Sequence, residues 1–290
     1  MNSSEIKAQN SDLESGIFNV GVGSVLGGIG AIINKEPGEK FGNTLLKGMG
    51  QGALGGYLVF ESERLIRQFS RSGDYAYVWP SKIVNSAGTS IIENAAANRD
   101  FWARWHMNIG FNRIEVNTKE NFKLSYRILP FSLVETVFAA TSSEFDLKTS
   151  AKVGTFVFRQ EYIEGGSAGY APANVVVLLK GFRGDMALPH ELIHTYQYER
   201  TSGFNKFFTK AEKSISSKLG MTEIYSLYNK VFYNDYNYIL NGILYVMADT
   251  NGHANNFFED EARYFSRHSR TMRIRVVTPP YFPLNSSLSR

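Results

Sequence analysis

The first third of the chain alternates between long apolar stretches and a short charged turn. Residues 16–33 carry no charge, and residues 41–69 have the mixed apolar and polar pattern of a second helix. The charged turn at residues 34–40 contains Pro37 and Gly38, which disfavour a continuous helix. This pattern predicts an N-terminal helical hairpin over residues 16–70.

Small residues recur at every fourth position in both predicted helices. They are Gly23, Gly27 and Ala31 in the first helix and Gly48, Gly52 and Gly56 in the second. Residues four apart lie on one face of a helix, and small side chains let two helix backbones approach closely. We therefore expect the two helices to pack face to face along these residues.

The apolar character of the hairpin is compatible with either a soluble helical pair or a contact with a membrane. Residues 16–33 are slightly shorter than the roughly 20 apolar residues that span a bilayer, and the second helix is uncharged only over residues 48–60. A tight soluble or interfacial hairpin is one alternative. The other is a hairpin that docks on a membrane surface or a partner protein through residues 16–70. Residues 1–15 lack the basic start of a signal peptide, so none is expected, and the sequence leaves the localisation undetermined.

The middle of the chain changes from helical to strand-like periodicity. Residues 81–105 have an amphipathic helical pattern, and residues 165–172 are typical of a loop. Runs rich in Val, Phe and Thr predict strands at residues 122–129, 132–139, 152–159 and 174–179. Their spacing favours an antiparallel meander, and the fold class predicted for the whole chain is α+β.

Composition narrows the chemistry that the chain can perform. The 290 residues include no cysteine, which excludes disulfides, thiolate metal sites and cysteine nucleophiles. The net charge of +4 is too small to indicate a nucleic-acid partner, and no nucleic-acid motif is present. The glycine-rich match at residues 50–55 lacks the preceding strand of a dinucleotide site, so no nucleotide cofactor is predicted.

The strongest chemical signal is the segment His190-Glu191-Leu-Ile-His194. On a helix the two histidines lie one turn apart on one face, where their imidazoles can bind a single metal ion. Glu191 is adjacent and could contact a metal-bound water as a general base. Pro189 fits the first turn of this helix. The alternative is a surface helix with two ordinary histidines. A further histidine, His106, is expected to be structural.

Two histidines need a third ligand to hold a catalytic zinc. Because the chain has no cysteine, that ligand must be His, Asp or Glu. The pattern of residues 255–265 predicts a second helix that could supply it. The downstream candidates are His253, Glu259, Asp260, Glu261 and His268.

Together with Glu259-Asp-Glu-Ala262, the histidine motif resembles the gluzincin type of zinc metallopeptidase, which pairs H-E-x-x-H with a later E-x-x-A. The wider run also resembles uncharacterised bacterial peptidase-like proteins. The resemblance implies one Zn²⁺ held by His190, His194 and Glu259, with Glu191 as catalytic base. It also implies a zincin-like domain over residues 76–290, in which an antiparallel sheet packs on the active-site helix and a C-terminal helical part. The polar N-terminus and the hairpin would then form residues 1–75.

Several neighbouring residues are open to more than one role. Glu261 lies about 200° around the helix from Glu259 and is either the alternative ligand or a carboxylate that supports a ligating histidine. Tyr264, Arg263 and His253 are the candidates for stabilising a transition-state oxyanion. An extended peptide substrate would lie along a sheet edge, supplied by the strand before the active-site helix or by residues 153–159.

The favoured function is a zinc-dependent hydrolase, and within that class a metallopeptidase acting on a peptide or protein. A second hypothesis is a catalytically silent peptidase-like scaffold or a membrane-docked interaction protein. A third is a toxin-like secreted effector peptidase whose hairpin serves delivery. The sequence indicates neither a substrate nor an oligomeric state.

Overall fold

The computed structural model describes residues 11–119, 122–248 and 256–266. Its helices, in chain order, are α1 (Asp12–Ile33), α2 (Phe41–Ser72), α3 (Val78–Ala96), α4 (Pro130–Ser142), α5 (Leu147–Val153), α6 (Phe182–Arg200), α7 (Thr209–Lys218), α8 (Thr222–Val231), α9 (Asn237–Ala248) and α10 (Phe257–Phe265). The strands are β1 (Arg104–Ile109), β2 (Asn112–Asn117), β3 (Lys123–Ile128), β4 (Glu144–Phe145), β5 (Phe156–Gln160), β6 (Gly169–Tyr170) and β7 (Val175–Leu179). The predicted α+β class is confirmed.

The predicted hairpin is formed by α1 and α2, and its glycines are the contact surface. A Cβ atom built on Gly23 would overlap the carbonyl oxygen of Gly52, and one built on Gly27 would overlap that of Gly48. The small-residue stripe thus brings the two backbones into direct contact. The opposite side of α1 leaves an exposed apolar row, consisting of Leu13, Ile17, Val25, Ile29 and Ile33.

Helix α1 is long and apolar enough to cross a membrane by length and composition. However, 39% of the residues in its most apolar window are buried within the protein. Within the same helix, the amide of Asn19 donates to the carboxylates of Glu63 and Glu261. Membrane docking through residues 16–70 stays a prediction.

The strands form two small sheets rather than one meander. In the first, β1, β2 and β3 are antiparallel neighbours in that order. In the second, the order is β4-β5-β7-β6, and β5 runs parallel to β7 while the other pairs are antiparallel. The expectation of an antiparallel meander is therefore wrong for the second sheet, because the chain crosses over between β5 and β7.

Residues 132–139 form helix α4 instead of the predicted strand. Pro130 suits the first turn of a helix, and the Asp235 carboxylate accepts hydrogen bonds from the backbone N–H groups of Phe131 and Ser132. Asp235 comes about 100 residues later, so this capping has no local sequence signal.

Three predicted boundaries are also corrected. The helix expected over residues 81–105 ends at Ala96, and β1 then starts at Arg104. Residues 152–153 close helix α5, and the strand predicted from residue 152 starts at Phe156, after Gly154 with a φ of +67°. Helix α6 starts at Phe182, so Pro189 lies in its interior instead of its first turn. A proline there leaves the carbonyl of Asp185 without its helical hydrogen-bond donor.

One hydrophobic core joins the hairpin to the helices of the histidine motif. It combines Phe60, Ile66 and Phe69 of α2, Val157, Val176 and Leu178 of the second sheet, Leu188, Leu192, Ile193 and Tyr196 of α6, and Ala262 and Phe265 of α10. A division between residues 75 and 76 stays a prediction about domains. The side chains from both sides of it pack in the same core.

Candidate metal site

Helices α6 and α10 are each held in place by a face buried in the core. The candidate ligands lie on the remaining faces of these helices. On α6, Leu192 and Ile193 pack in the core, while His190 and His194 project together on the side of a cleft. On α10, Ala262 is completely buried, and its small side chain allows the helix to pack closely on α6. This packing brings Glu259 to the two imidazoles.

Three donor groups converge on one point between these helices. Nε2 of His190 lies 3.1 Å from Nε2 of His194 and 3.2 Å from Oε2 of Glu259. Nε2 of His194 lies 3.4 Å from Oε1 of Glu259. Ligand atoms bound at about 2.0–2.1 Å to a tetrahedral zinc are roughly 3.4 Å apart. The three donors therefore form a group that could hold a metal ion.

Glu261 faces the opposite side of α10, away from the three donors. Its Oε1 accepts hydrogen bonds from Arg200 at 2.8 Å and from Asn19 at 3.2 Å. Its Oε2 accepts one at 2.9 Å from the side-chain amide of Gln197. The two carboxylates of α10 thus have different partners, and Glu259 is the one beside the histidines.

Gln197 connects the histidines to this buried network. Its amide nitrogen donates to Glu261 and, at 2.8 Å, to the carbonyl oxygen of Phe258. Its amide oxygen lies 2.8 Å from Nδ1 of His194. Because the amide oxygen can only accept, Nδ1 carries the proton and Nε2 of His194 keeps its lone pair for the candidate metal. No sequence motif indicates this role directly, although Gln197 lies one turn beyond His194.

The pKa values of the acidic groups and histidines of the site are shifted in different directions. Burial raises the pKa of Glu191 to about 7, although the nearby His194 opposes this. Burial would also raise the pKa of Glu259, but its hydrogen bonds with His190 and His194 lower it well below its usual range. Burial lowers the pKa of His194, but its hydrogen bond with Glu259 and the nearby charges of Glu191 and Glu259 together raise it to about 9. A metal ion bound at Nε2 would therefore displace the proton that this ring holds near neutral pH.

Next to the three donors is an open cleft of about 1140 Å³. Its walls are the segment around β6 and helix α9, and Glu191 lies at its base together with His190 and His194. The backbone of β6 passes close to Glu191, since a Cβ atom on Gly169 would be 3.0 Å from Oε1. Strand β6 is the edge of its sheet among the described strands.

The expected substrate edge therefore needs a correction. The sequence suggested β7, the strand before α6, or β5 within residues 153–159. Both are paired on two sides, β5 with β4 and β7, and β7 with β5 and β6. The strand whose edge borders the cleft is the two-residue β6, which is too short and too glycine-rich to be predicted as a strand.

The three expected oxyanion stabilisers have different surroundings. The hydroxyl of Tyr264 donates to Asp12 at 2.8 Å, so this residue is engaged at the start of α1 and does not line the cleft. Arg263 pairs with Asp260 at 2.8 Å and lies 3.9 Å from Glu259. His253, like the ligand candidate His268, lies outside the described residues.

Tyr245 is a residue of the cleft that the sequence did not single out. Its hydroxyl donates to Oε1 of Glu259 at 3.0 Å. Tyr238 lies two helical turns earlier on the same face of α9 and also lines the cleft. The seven-residue spacing of these tyrosines was the signal that could have identified the cleft wall.

No protein-family model, no curated protein and no solved structure matches the chain.

Proposed function

We propose that the protein is a zinc-dependent hydrolase, and within that class a metallopeptidase. The observation that carries the proposal is the convergence of His190, His194 and Glu259 at distances of 3.1–3.4 Å beside an open cleft. Zinc supplies a Lewis acid that lowers the pKa of water and polarises a carbonyl group. The zincin-like arrangement and the gluzincin relationship belong to the same proposal.

Glu191 is the proposed general base. Glu191 is 4% exposed and lines the cleft beside His190 and His194. Burial brings its pKa to about 7, which suits a group that must both take and release a proton near neutral pH. It would take a proton from the attacking water and deliver it to the leaving amine.

The cleft supplies two further groups for a peptide. The edge of β6 can pair with the extended backbone of a peptide. Because Gly169 of β6 lies close to Glu191, the paired peptide would lie next to Glu191. The hydroxyl of Tyr245 is the proposed donor to the oxyanion in place of Tyr264, because it already lies beside Glu259.

The test compares the zinc-loaded wild type with Glu191→Gln on a mixed peptide library read by mass spectrometry. We expect cleavage by the wild type, a loss of roughly 10²–10⁴-fold in the variant, and an unchanged zinc content, because Glu191 is not a ligand. Equal cleavage by both proteins would contradict the proposal. A zinc-bound wild type that cleaves no peptide would favour the silent scaffold.

A further inference from the structure

A second cavity, of about 790 Å³, lies between the turn joining α1 to α2, the end of α3, the first sheet and helices α7 and α8. We call it the basic pocket. Its charged lining residues are mostly cations, and the acidic residues among them are Glu36 and Glu212. These cations are Arg99, Arg104, Arg127, Lys206, Lys210, Lys213 and Lys230.

A buried ionic network with two carboxylates lies next to the basic pocket, and two lining residues, Arg127 and Lys206, belong to it. The guanidinium of Arg113 donates a bidentate pair of hydrogen bonds to Glu93, at 3.1 and 2.8 Å, and another hydrogen bond to Glu115 at 2.7 Å. Arg127 also pairs with Glu115, and Lys206 lies 3.6 Å from Glu93. The two carboxylates thus already have three cations as partners, and Arg99 is a further cation next to them.

Arg99 has no share in these pairs. Its Nε and Nη2 atoms are buried and have no acceptor among the residues that the structure describes. Arg99 is nevertheless one of the residues that line the basic pocket. Buried polar groups are normally hydrogen-bonded, and a buried cation normally has a counter-charge. Arg99 therefore places two unsatisfied donors in the wall of the basic pocket.

Two cations of the basic pocket have lowered pKa values, mainly because they are buried and in part because other cations lie near them. Burial lowers the pKa of Lys206 well below its usual value, and the charges of Arg99, Arg113 and Arg127 lower it further. Burial, with the charge of Arg104, lowers the pKa of Arg99 to about 10. An anion in the basic pocket would offset the repulsion among these cations.

We propose that the basic pocket binds the phosphate groups of a small polyphosphorylated molecule. Nε and Nη2 of a guanidinium form a planar fork that matches two oxygens of one phosphate. The number of cations around that fork fits more than one phosphate group, and the volume is within the roughly 300–1,000 Å³ of small-molecule sites. The cations surround a concavity, which favours a compact ligand over a nucleic-acid strand.

The test is titration calorimetry of the full chain with tripolyphosphate and ATP at constant ionic strength. We expect saturable binding by the wild type and at least a ten-fold weaker affinity in Arg99→Gln. The double variant Lys210→Gln/Lys213→Gln removes two exposed cations of the rim, which leaves the fold intact, and should weaken binding several-fold. Lys148→Gln removes an exposed cation of α5 outside the pocket and should bind as the wild type does.

Because both probes also chelate zinc, His190→Ala is measured in parallel and should retain binding. Loss of the signal in that variant would trace it to the metal site and overturn the proposal. Equal affinity in all variants, or no saturable binding of either probe at millimolar concentration, would also overturn it. So would binding of an RNA oligonucleotide or of vesicles with phosphoinositide headgroups by a protein that ignores both probes.

Discussion

At the residue scale, the orientation of one imidazole depends on one amide. Gln197 has both donors engaged, by Glu261 and by the carbonyl of Phe258, so its oxygen must face Nδ1 of His194. This contact fixes the tautomer that leaves Nε2 available to a metal. Gln197 would act on a bound metal through His194, because its amide contacts Nδ1 of that ring.

Replacing Gln197 by alanine should therefore weaken zinc binding without removing a ligand. We expect an affinity lower by about 10–100-fold, measured by competition with a chromogenic chelator. Gln68→Ala provides the matched control, because Gln68 is exposed on α2. Equal zinc affinity in Gln197→Ala and the wild type would contradict the assigned role.

His106 shows how a buried histidine couples stability to pH. Its ring nitrogens lie 3.0 Å from the Ser90 hydroxyl and 3.3 Å from that of Thr89. Burial, with the charge of Arg113, lowers its pKa to about 3 from the ordinary 6.5. The folded protein thus holds the ring neutral, as the structural role predicted for His106 requires.

Since the folded pKa is depressed, the unfolded chain binds the proton first. The contribution of His106 to stability is complete above about pH 6.5 and is lost as the pH falls towards 3. Between about pH 7 and pH 5, the wild type should lose about 2 kcal/mol more unfolding free energy than His106→Gln. Urea unfolding measures this difference, and equal losses in both proteins would show that the ring is not held neutral.

At the element scale, the hairpin depends on backbone contact along one glycine stripe. Gly52 has no room for a methyl group, because a Cβ atom there would overlap the carbonyl oxygen of Gly23. Gly50 lies on the same helix with no atom within 4 Å of its Cβ position. Alanine substitutions at the two glycines therefore distinguish the effect of interhelical packing from that of helix propensity.

Gly52→Ala should destabilise the protein by about 1–3 kcal/mol, because the helices must move apart. Gly50→Ala should be neutral or stabilise by up to about 1 kcal/mol, since alanine favours a helix more than glycine does. Chemical denaturation of both variants distinguishes these effects. A greater loss from Gly50→Ala than from Gly52→Ala would contradict the packing described for α1 and α2.

Elements with a strong local signal were predictable, and those defined by distant partners were not. Periodicity and the small-residue spacing identify α1 and α2, and the histidine motif identifies the middle of α6. The local pattern predicts a strand where helix α4 forms, because the N-terminus of α4 is capped by Asp235, far away in the chain. Strand β6, which borders the cleft, has two residues and no recognisable pattern.

At the scale of the whole molecule, the hairpin and the candidate metal site are physically continuous. Asn19 of α1 and Arg200 of α6 both contact the Glu261 carboxylate, and Gln197 links that carboxylate to His194. The sequence places the histidines one turn apart but carries no sign of this network. Such contacts arise from tertiary packing, which local spacing cannot encode.

The convergence of two imidazoles and one carboxylate is the central claim, and the zinc content of purified protein tests it most directly. Elemental analysis after zinc loading and gel filtration should give about one zinc per wild-type chain. His190→Ala and Glu259→Ala should lose the ion, whereas folded Glu261→Gln should retain it. A folded wild type without zinc, or zinc retained in Glu259→Ala and lost in Glu261→Gln, would contradict the proposed site.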